Sequence, residues 1–121
     1  MTNTLATRIA AALGFLGVAL GAFGAHGLKP VLEQYQTVET WKTAAFYHLL
    51  HAVMLFVLAV RKPLPRGPWL SFLLGTLIFS GSLYVLAVTN LKWLGALAPL
   101  GGLSLMAGWV WLVVSARRLN A

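Results

Sequence analysis

Three histidines are the residues of this sequence best able to do chemistry, because the chain has no cysteine and only two acidic residues. His48 and His51 stand three residues apart in the segment YHLLH, which places them on one face of a helix. His26 lies in a separate glycine-rich segment, GAFGAHGL. Imidazole nitrogens can bind zinc, copper or haem iron, relay a proton, or form hydrogen bonds between helices.

Four interpretations of these histidines stay open at this point. They could serve as hydrogen-bonding groups between helices, line a pocket for a small ligand or lipid headgroup, carry a proton or metal, or ligate haem. Catalysis is the weakest interpretation: Ser80 or Ser82 could pair with a histidine, but no acidic orienting group or nucleophile motif accompanies them. We therefore expect no enzyme, no bound metal and no cofactor.

The elements that position these residues follow from composition. The chain is 60% apolar and 9% charged, whereas a soluble domain carries roughly 25% charged residues. Four runs of about 20 residues lack interior charges, the length that crosses a bilayer as a helix. The predicted fold is all-α, an integral membrane bundle of four transmembrane helices in a single domain, 1–121. A short interfacial helix is expected between helices 1 and 2, and the transmembrane helices are predicted at about 9–28, 41–60, 69–88 and 94–115.

Two further features concern the ends of these helices. Pro30 is a suitable first residue for the interfacial helix, and Thr37 is expected to cap the second transmembrane helix. Tryptophans near the helix ends predict an aromatic belt at the membrane surfaces: Trp41, Trp69, Trp93, Trp109 and Trp111.

The net charge of +7 sits in the connections and at the chain ends, not within the apolar runs. Six of the nine cations lie on the side that carries both termini, so the positive-inside rule predicts cytoplasmic termini. This distribution suits anionic headgroups rather than nucleic acid, and we expect a bacterial cytoplasmic (inner) membrane protein in contact with the lipid bilayer. A cleaved signal peptide in the first run is disfavoured, because the run is long and its glycines follow helical spacing.

Small residues predict where helices pack closely. Glycines recur along one stripe of the first helix, and Gly17-x-x-x-Gly21 is a close-approach motif of membrane helices. The fourth helix has a second stripe, so we expect these two helices to be neighbours. Packing within the bundle is favoured over the alternative, the interface of a homo-oligomer. The packing residues are Gly14, Gly17, Gly21, Gly24, Gly101 and Gly108.

No charged residue lies deep inside a span, although coupled transporters and proton pumps usually carry one. We therefore favour a structural or interaction module with a polar site, the alternative being a carrier or channel for a small polar solute, a lipid headgroup or a proton. Depth along the helices predicts that the site lies in the outer half, where Pro99 would free the carbonyl of Gly95. The candidate residues are His26, His48, His51, Tyr47, Ser80, Ser82, Tyr84 and Pro99.

Four segments occur in a characteristic order: GAFGAHGL, WKTAAFYHLLHAVML, GTLIFSGSLYVLAVT and LAPLGGLSLMAGWVWL. Together they resemble domain-of-unknown-function family 423, whose animal relatives are called transmembrane protein 256. The resemblance spans nearly the whole chain and implies a small four-helix integral membrane protein, with no reaction attached. It covers Gly24, His26, Gly27, Thr43, Ala44, Tyr47, His51, Gly75, Phe79, Ser80, Gly81, Ser82, Tyr84, Pro99, Gly101, Gly102, Gly108 and Trp109.

Overall fold

Helices account for all the regular structure of the chain, which the computed structural model describes from Met1 to Ala121. Four of them are long and apolar enough to cross a membrane: α1 (Asn3–Ala25), α3 (Val38–Ala59), α4 (Arg66–Thr89) and α5 (Ala98–Leu119). The short helix α2 (Lys29–Tyr35) connects α1 to α3, and a 3₁₀ turn (Lys92–Ala96) precedes α5. The predicted all-α class, with four membrane-crossing helices and a short helix after the first, is confirmed.

The helices α1 and α3 begin earlier than their apolar runs because polar residues form their first turns. The hydroxyl of Thr2 caps α1 by accepting a hydrogen bond from the Leu5 N–H at 3.0 Å. The first turn of α3 holds Glu39 on the exposed surface. Thr37 precedes α3, but the prediction that it caps this helix is wrong. Its hydroxyl instead donates to the Ala87 carbonyl at 2.7 Å. This bond ties the start of α3 to α4.

The start of α5 corrects the prediction for Pro99. The helix begins at Ala98, so Pro99 lies in its first turn, where the missing N–H costs no intrahelical bond. Gly95 belongs to the preceding 3₁₀ turn rather than to α5. Pro99 therefore does not interrupt a helix, and its side chain is exposed.

The membrane helices pack side by side in the order α1, α3, α4, α5. The backbones of α1 and α5 do not come into contact, which corrects the expectation that the first and fourth membrane helices are neighbours. Trp69 and Phe72 are fully buried in the core, which packs against Ala6 of α1 and Leu55 of α3. We call the side with both chain ends and the α3–α4 turn the terminal side, and the side with α2 the loop side.

Candidate functional site

His48 connects three helices through both of its ring nitrogens. Its Nε2 lies 2.8 Å from the carbonyl oxygen of Leu13 in α1, and its Nδ1 lies 2.8 Å from the hydroxyl of Tyr84 in α4. A carbonyl can only accept, so Nε2 carries the proton and Nδ1 accepts from the tyrosine hydroxyl. The ring is only 4% exposed. His48 is therefore a buried bridge with a defined tautomer.

Trp41 makes a second connection between the same helices, nearer the loop side. Its indole N–H donates to the Leu20 carbonyl of α1 at 2.8 Å. Its ring packs against Tyr84, with ring centroids 4.7 Å apart. Trp41, Tyr84 and His48 thus form one continuous cluster, and the cluster holds α1 at two carbonyls that lie two helical turns apart.

A glycine follows each of those two carbonyls by one helical turn. A helical Cβ tilts towards the N-terminus and covers the preceding turn. Leu13 and Leu20 each precede a glycine by four residues, namely Gly17 and Gly24. A Cβ on Gly17 would lie 2.5 Å from the Leu49 side chain, and one on Gly24 would overlap the indole nitrogen of Trp41. The same spacing occurs in α4, where the Ser71 carbonyl lies four residues before Gly75. This carbonyl accepts a hydrogen bond from the hydroxyl of Ser104 in α5 at 2.8 Å.

His51 forms a separate connection between α3 and α5. Its Nδ1 lies 2.8 Å from the Tyr47 carbonyl of its own helix and therefore carries the proton. Its Nε2 accepts a hydrogen bond from the indole N–H of Trp109 at 3.1 Å. The imidazole also packs against Phe72, with centroids 5.4 Å apart. A long side chain thus joins two helices whose backbones do not touch.

These bonds leave His48 and His51 with no free ring lone pair. In each ring one nitrogen donates to a carbonyl, and the other accepts from a phenol or an indole. A metal ion or haem iron would need the accepting nitrogen and would displace that donor. The structure contains no group of three or more histidine, cysteine, aspartate or glutamate side chains that could hold a metal ion.

His26 stands apart from the other two histidines. It is the exposed residue that ends α1, on the loop side, and it forms the edge of an open apolar groove with Phe23. The contact between Leu13 and His48 fixes the level of α3 against α1. At about 1.5 Å per residue, roughly 24 Å then separates the levels of His26 and His51. The prediction that these two histidines lie at a similar depth is therefore wrong.

The remaining candidates form local bonds rather than a common pocket. The hydroxyl of Ser80 donates to the Ala44 carbonyl of α3 at 2.8 Å, and that of Ser82 donates to the Phe79 carbonyl of its own helix at 3.0 Å. Tyr47 is partly exposed and packs on Phe79 at 4.9 Å between centroids. None of the five main clefts of the surface has His48, His51, Ser80, Ser82 or Tyr84 in its wall.

The depths of the buried groups also differ from the prediction. His48 lies at the middle of α3, which has 22 residues, and His51 lies one turn closer to the terminal side. The prediction that both histidines lie in the half on the loop side is therefore wrong for His51, while His48 lies at the boundary between the two halves. The physical reason is that α3 starts at Val38, so its exposed polar first turn places the histidines deeper than the apolar run suggests.

The glycine stripe of α1 divides into two pairs. Gly17 and Gly24 pack against α3, whereas a Cβ on Gly14 or Gly21 would meet no atom within 4 Å. The spacing that matters for packing is thus seven residues rather than the four of a Gly-x-x-x-Gly motif. In α5 both predicted glycines are buried against α4: Gly101 faces Phe79 and Gly108 faces Phe72.

Several connecting residues were not predicted as such. The sequence predicts Trp41, Trp69 and Trp109 in an aromatic belt at the membrane surfaces. In the structure each donates its indole N–H to an acceptor on another helix. Trp69 is completely buried and donates to the Leu55 carbonyl at 3.1 Å. Asn3 donates to the carbonyls of Ala59 and Arg61 at 2.8 and 2.6 Å. The signal that could have identified the tryptophans is the indole N–H, which needs a partner in an apolar surrounding.

Comparison with known proteins adds the family to this geometry. The family model described as "Protein of unknown function (DUF423)" matches residues 20–102. The chain is 43% identical over 109 residues to the UPF0382 membrane protein YwdK of Bacillus subtilis (strain 168), an alignment that covers 84% of this chain and 86% of that protein. It is 38% identical over 126 residues to the UPF0382 inner membrane protein YgdD of Escherichia coli (strain K12), an alignment that covers 99% of this chain and 95% of that protein.

A third relative, the UPF0382 membrane protein SH2409 of Staphylococcus haemolyticus, is 42% identical over 106 residues, covering 83% of this chain and 84% of that protein. No solved structure matches the chain. Four apolar helices and relatives named as membrane proteins identify a small membrane protein in contact with the lipid bilayer. With a family model that spans most of its length and relatives this similar, the chain belongs to the DUF423 family.

Proposed function

We propose that this protein is a non-enzymatic structural or interaction module whose buried polar residues hold its membrane helices together. The observation that carries the proposal is the complete hydrogen bonding of His48 and His51 by protein groups. Hydrogen bonds between membrane helices contribute about 0.6 kcal/mol on average and up to about 1.7 kcal/mol. A transport pathway would instead leave ring nitrogens facing a cavity, and no main cleft reaches these rings.

Alanine variants separate this function from transport of protons. In detergent we expect His48→Ala and His51→Ala to lower the unfolding temperature, with His26→Ala unchanged as the exposed control. In vesicles that contain a pH-sensitive dye, all three variants should match the wild-type proton flux. A stable His48→Ala protein that loses a wild-type proton flux would overturn the proposal in favour of a carrier.

We also propose that both termini are cytoplasmic and that the membrane is the bacterial cytoplasmic membrane. Six cations on the terminal side support this orientation, against three on the loop side, where both glutamates lie. The same imbalance supports lipid headgroups, rather than nucleic acid, as the partner of these cations. A reporter that is active only outside the membrane would be silent at Ala121 under this topology, and activity there would overturn it.

Self-association is the remaining partner proposal. It is supported by the face of α1 that carries Gly14 and Gly21, where small residues would let a helix of a second copy approach closely. Because the chain has no cysteine, Gly14→Cys provides a single reactive thiol. Oxidation in the membrane should give a disulfide-linked dimer for Gly14→Cys and none for the matched control Val113→Cys on the exposed face of α5.

One observation favours a second function, the binding of a lipid with a polar headgroup. An apolar cleft of about 420 Å³ opens between α1, α2 and α3, and its lining includes Lys29, Lys42 and Gly21. A Cβ on Gly21 meets no protein atom within 4 Å, so Gly21→Leu would extend a side chain into this cleft, whereas Gly14→Leu adds the same side chain elsewhere. Loss of co-purifying lipid in Gly21→Leu alone would support this function.

A further inference from the structure

The terminal side carries positive charge that no acidic side chain balances. The two acidic side chains, Glu33 and Glu39, both lie on the loop side, in α2 and at the start of α3. The only ion pair in the structure joins Lys42 to Glu39 at 3.6 Å, also on the loop side. The cations of the terminal side therefore form no ion pair within the protein and have no acidic side chain near them.

Four of these cations surround one pocket. A cavity of about 410 Å³ lies between the α3–α4 turn, the first residues of α4 and the last two turns of α5. The turn contributes Arg61 and Lys62, α4 contributes Arg66, and α5 contributes Arg118. Cations from three separate segments thus line one pocket. A positive charge spread evenly over the terminal side would not bring them together in this way.

Two of the arginines are held in place by backbone carbonyls. The guanidinium of Arg61 donates to the Leu119 carbonyl and joins the turn to the end of α5. That of Arg66 donates to the Met1 carbonyl at 3.1 Å. The side chains of Lys62 and Arg118 form no hydrogen bond or ion pair with the protein, unlike those of Arg61 and Arg66, so their charged groups are available to a ligand.

The start of α4 adds to the positive potential of the pocket. It has no side-chain cap and no acidic residue in its first turn, whereas α1 is capped by Thr2. The indole of Trp111 lies directly over Gly67 and forms the apolar wall of the pocket. The N-terminal end of a helix attracts anions, and phosphate groups in particular suit several cations with a helix start.

We propose that this pocket binds the phosphate group of an anionic phospholipid. Its position at the ends of membrane helices places it at the level of the headgroups. Val114, which is 78% exposed, lies one turn along α5 from Trp111 and offers an apolar surface to the acyl chains. Lys62 and Arg118 contact the phosphate, while Arg61 and Arg66 keep the pocket walls in position.

The test measures lipid binding by the full chain in detergent, as thermal stabilisation during titration. The probes are dioleoyl phosphatidylglycerol, dioleoyl phosphatidylcholine with the same acyl chains, and inorganic phosphate. We expect saturable stabilisation by phosphatidylglycerol, little by phosphatidylcholine and little by inorganic phosphate. Lys62→Gln/Arg118→Gln should weaken the apparent Kd for phosphatidylglycerol about tenfold or more, since each cation near such a headgroup contributes on the order of 1 kcal/mol.

The matched control is Arg8→Gln/Arg117→Gln, which removes the same charge from the same side of the membrane but outside this pocket. The control should change the apparent Kd less than threefold. Equal weakening in both double variants would mean a diffuse charge effect and would overturn the pocket. Stabilisation by inorganic phosphate equal to that by phosphatidylglycerol would identify a soluble anion and overturn the lipid assignment. Neither result would alter the hydrogen bonds of His48 and His51, so the proposed function is tested separately.

Discussion

The α1–α3 and α4–α5 interfaces both depend on glycine, but they use it for different contacts. Between α1 and α3, the absence of a Cβ at Gly24 lets the indole of Trp41 reach the Leu20 carbonyl, and its absence at Gly17 makes room for Leu49 beside the bond from His48 to Leu13. Between α4 and α5, Gly101 and Gly108 receive the backbone and ring of phenylalanines instead. Only one side-chain hydrogen bond, from Ser104, crosses that second interface.

The difference shows how membrane helices associate when lipid provides no hydrophobic driving force between them. Association then depends on close packing and on hydrogen bonds between helices. Glycine promotes either one, according to whether an apolar or a polar side chain of the neighbouring helix faces it. Gly75 does both, because it accommodates Leu105 and follows the Ser71 carbonyl by four residues.

The largest effect is expected from Gly101→Ala at the α4–α5 interface. A Cβ there would overlap the backbone nitrogen of Phe79, and a helix backbone cannot rotate away as a side chain can. We expect a loss of about 3 kcal/mol in the free energy of unfolding, at the upper end for overpacking. Reversible unfolding in mixed detergent micelles measures this value.

The neighbouring glycine provides the control for that variant. A Cβ on Gly102 would lie 3.7 Å from the Phe79 ring, an ordinary contact. Gly102→Ala should be neutral or slightly stabilising, since alanine is the better helix former. Equal losses in the two variants would contradict the close backbone approach of α4 and α5.

The next largest effect is expected from Gly24→Ala at the α1–α3 interface. The new methyl group would displace the indole of Trp41 and break its bond to Leu20, but a side chain can move where a backbone cannot. We expect a loss of about 2 kcal/mol, and a change in tryptophan fluorescence should accompany it. Gly21→Ala is the control, because its Cβ meets no atom within 4 Å. A loss as large as that of Gly101→Ala would remove the distinction between the two interfaces.

The sequence predicted the helices well because each apolar run is long enough to cross a bilayer and no strand can do so alone. It could not predict the order of packing. The glycines of α1 and α5 suggested that these helices are neighbours, yet a small residue does not specify which helix will approach it. Gly17 and Gly24 in fact face α3.

The site was only partly predictable for a related reason. His48, Tyr84 and Ser80 were identified as polar groups that need partners, and the structure gives each of them one. Their partners include the backbone carbonyls of Leu13 and Ala44, and carbonyls have no signature in a sequence. The polar cluster therefore became visible only when the rotation of each helix was known.

The polar character of the α1–α3 interface is tested directly by Trp41→Phe. This variant keeps a ring against Tyr84 but removes the N–H that binds Leu20. We expect a loss of about 1 kcal/mol, the value of one interhelical hydrogen bond with a small cavity. Trp93→Phe is the control because Trp93 is 64% exposed and should contribute almost nothing. Equal stability of Trp41→Phe and wild type would mean that the bond from Trp41 to Leu20 does not contribute to holding α1.

The smallest effect is expected from Ser104→Ala, which removes the one hydrogen bond across the α4–α5 interface. We expect a loss of about 0.5 kcal/mol, because close packing around Gly75 and Gly101 remains. Ser115→Ala is the matched control, since Ser115 donates within its own helix to Trp111. A loss larger than that of Trp41→Phe, measured by the same unfolding assay, would mean that the α4–α5 interface also depends chiefly on hydrogen bonding. The two interfaces would then differ only in geometry, and the contrast between a hydrogen-bonded and a close-packed glycine contact would no longer hold.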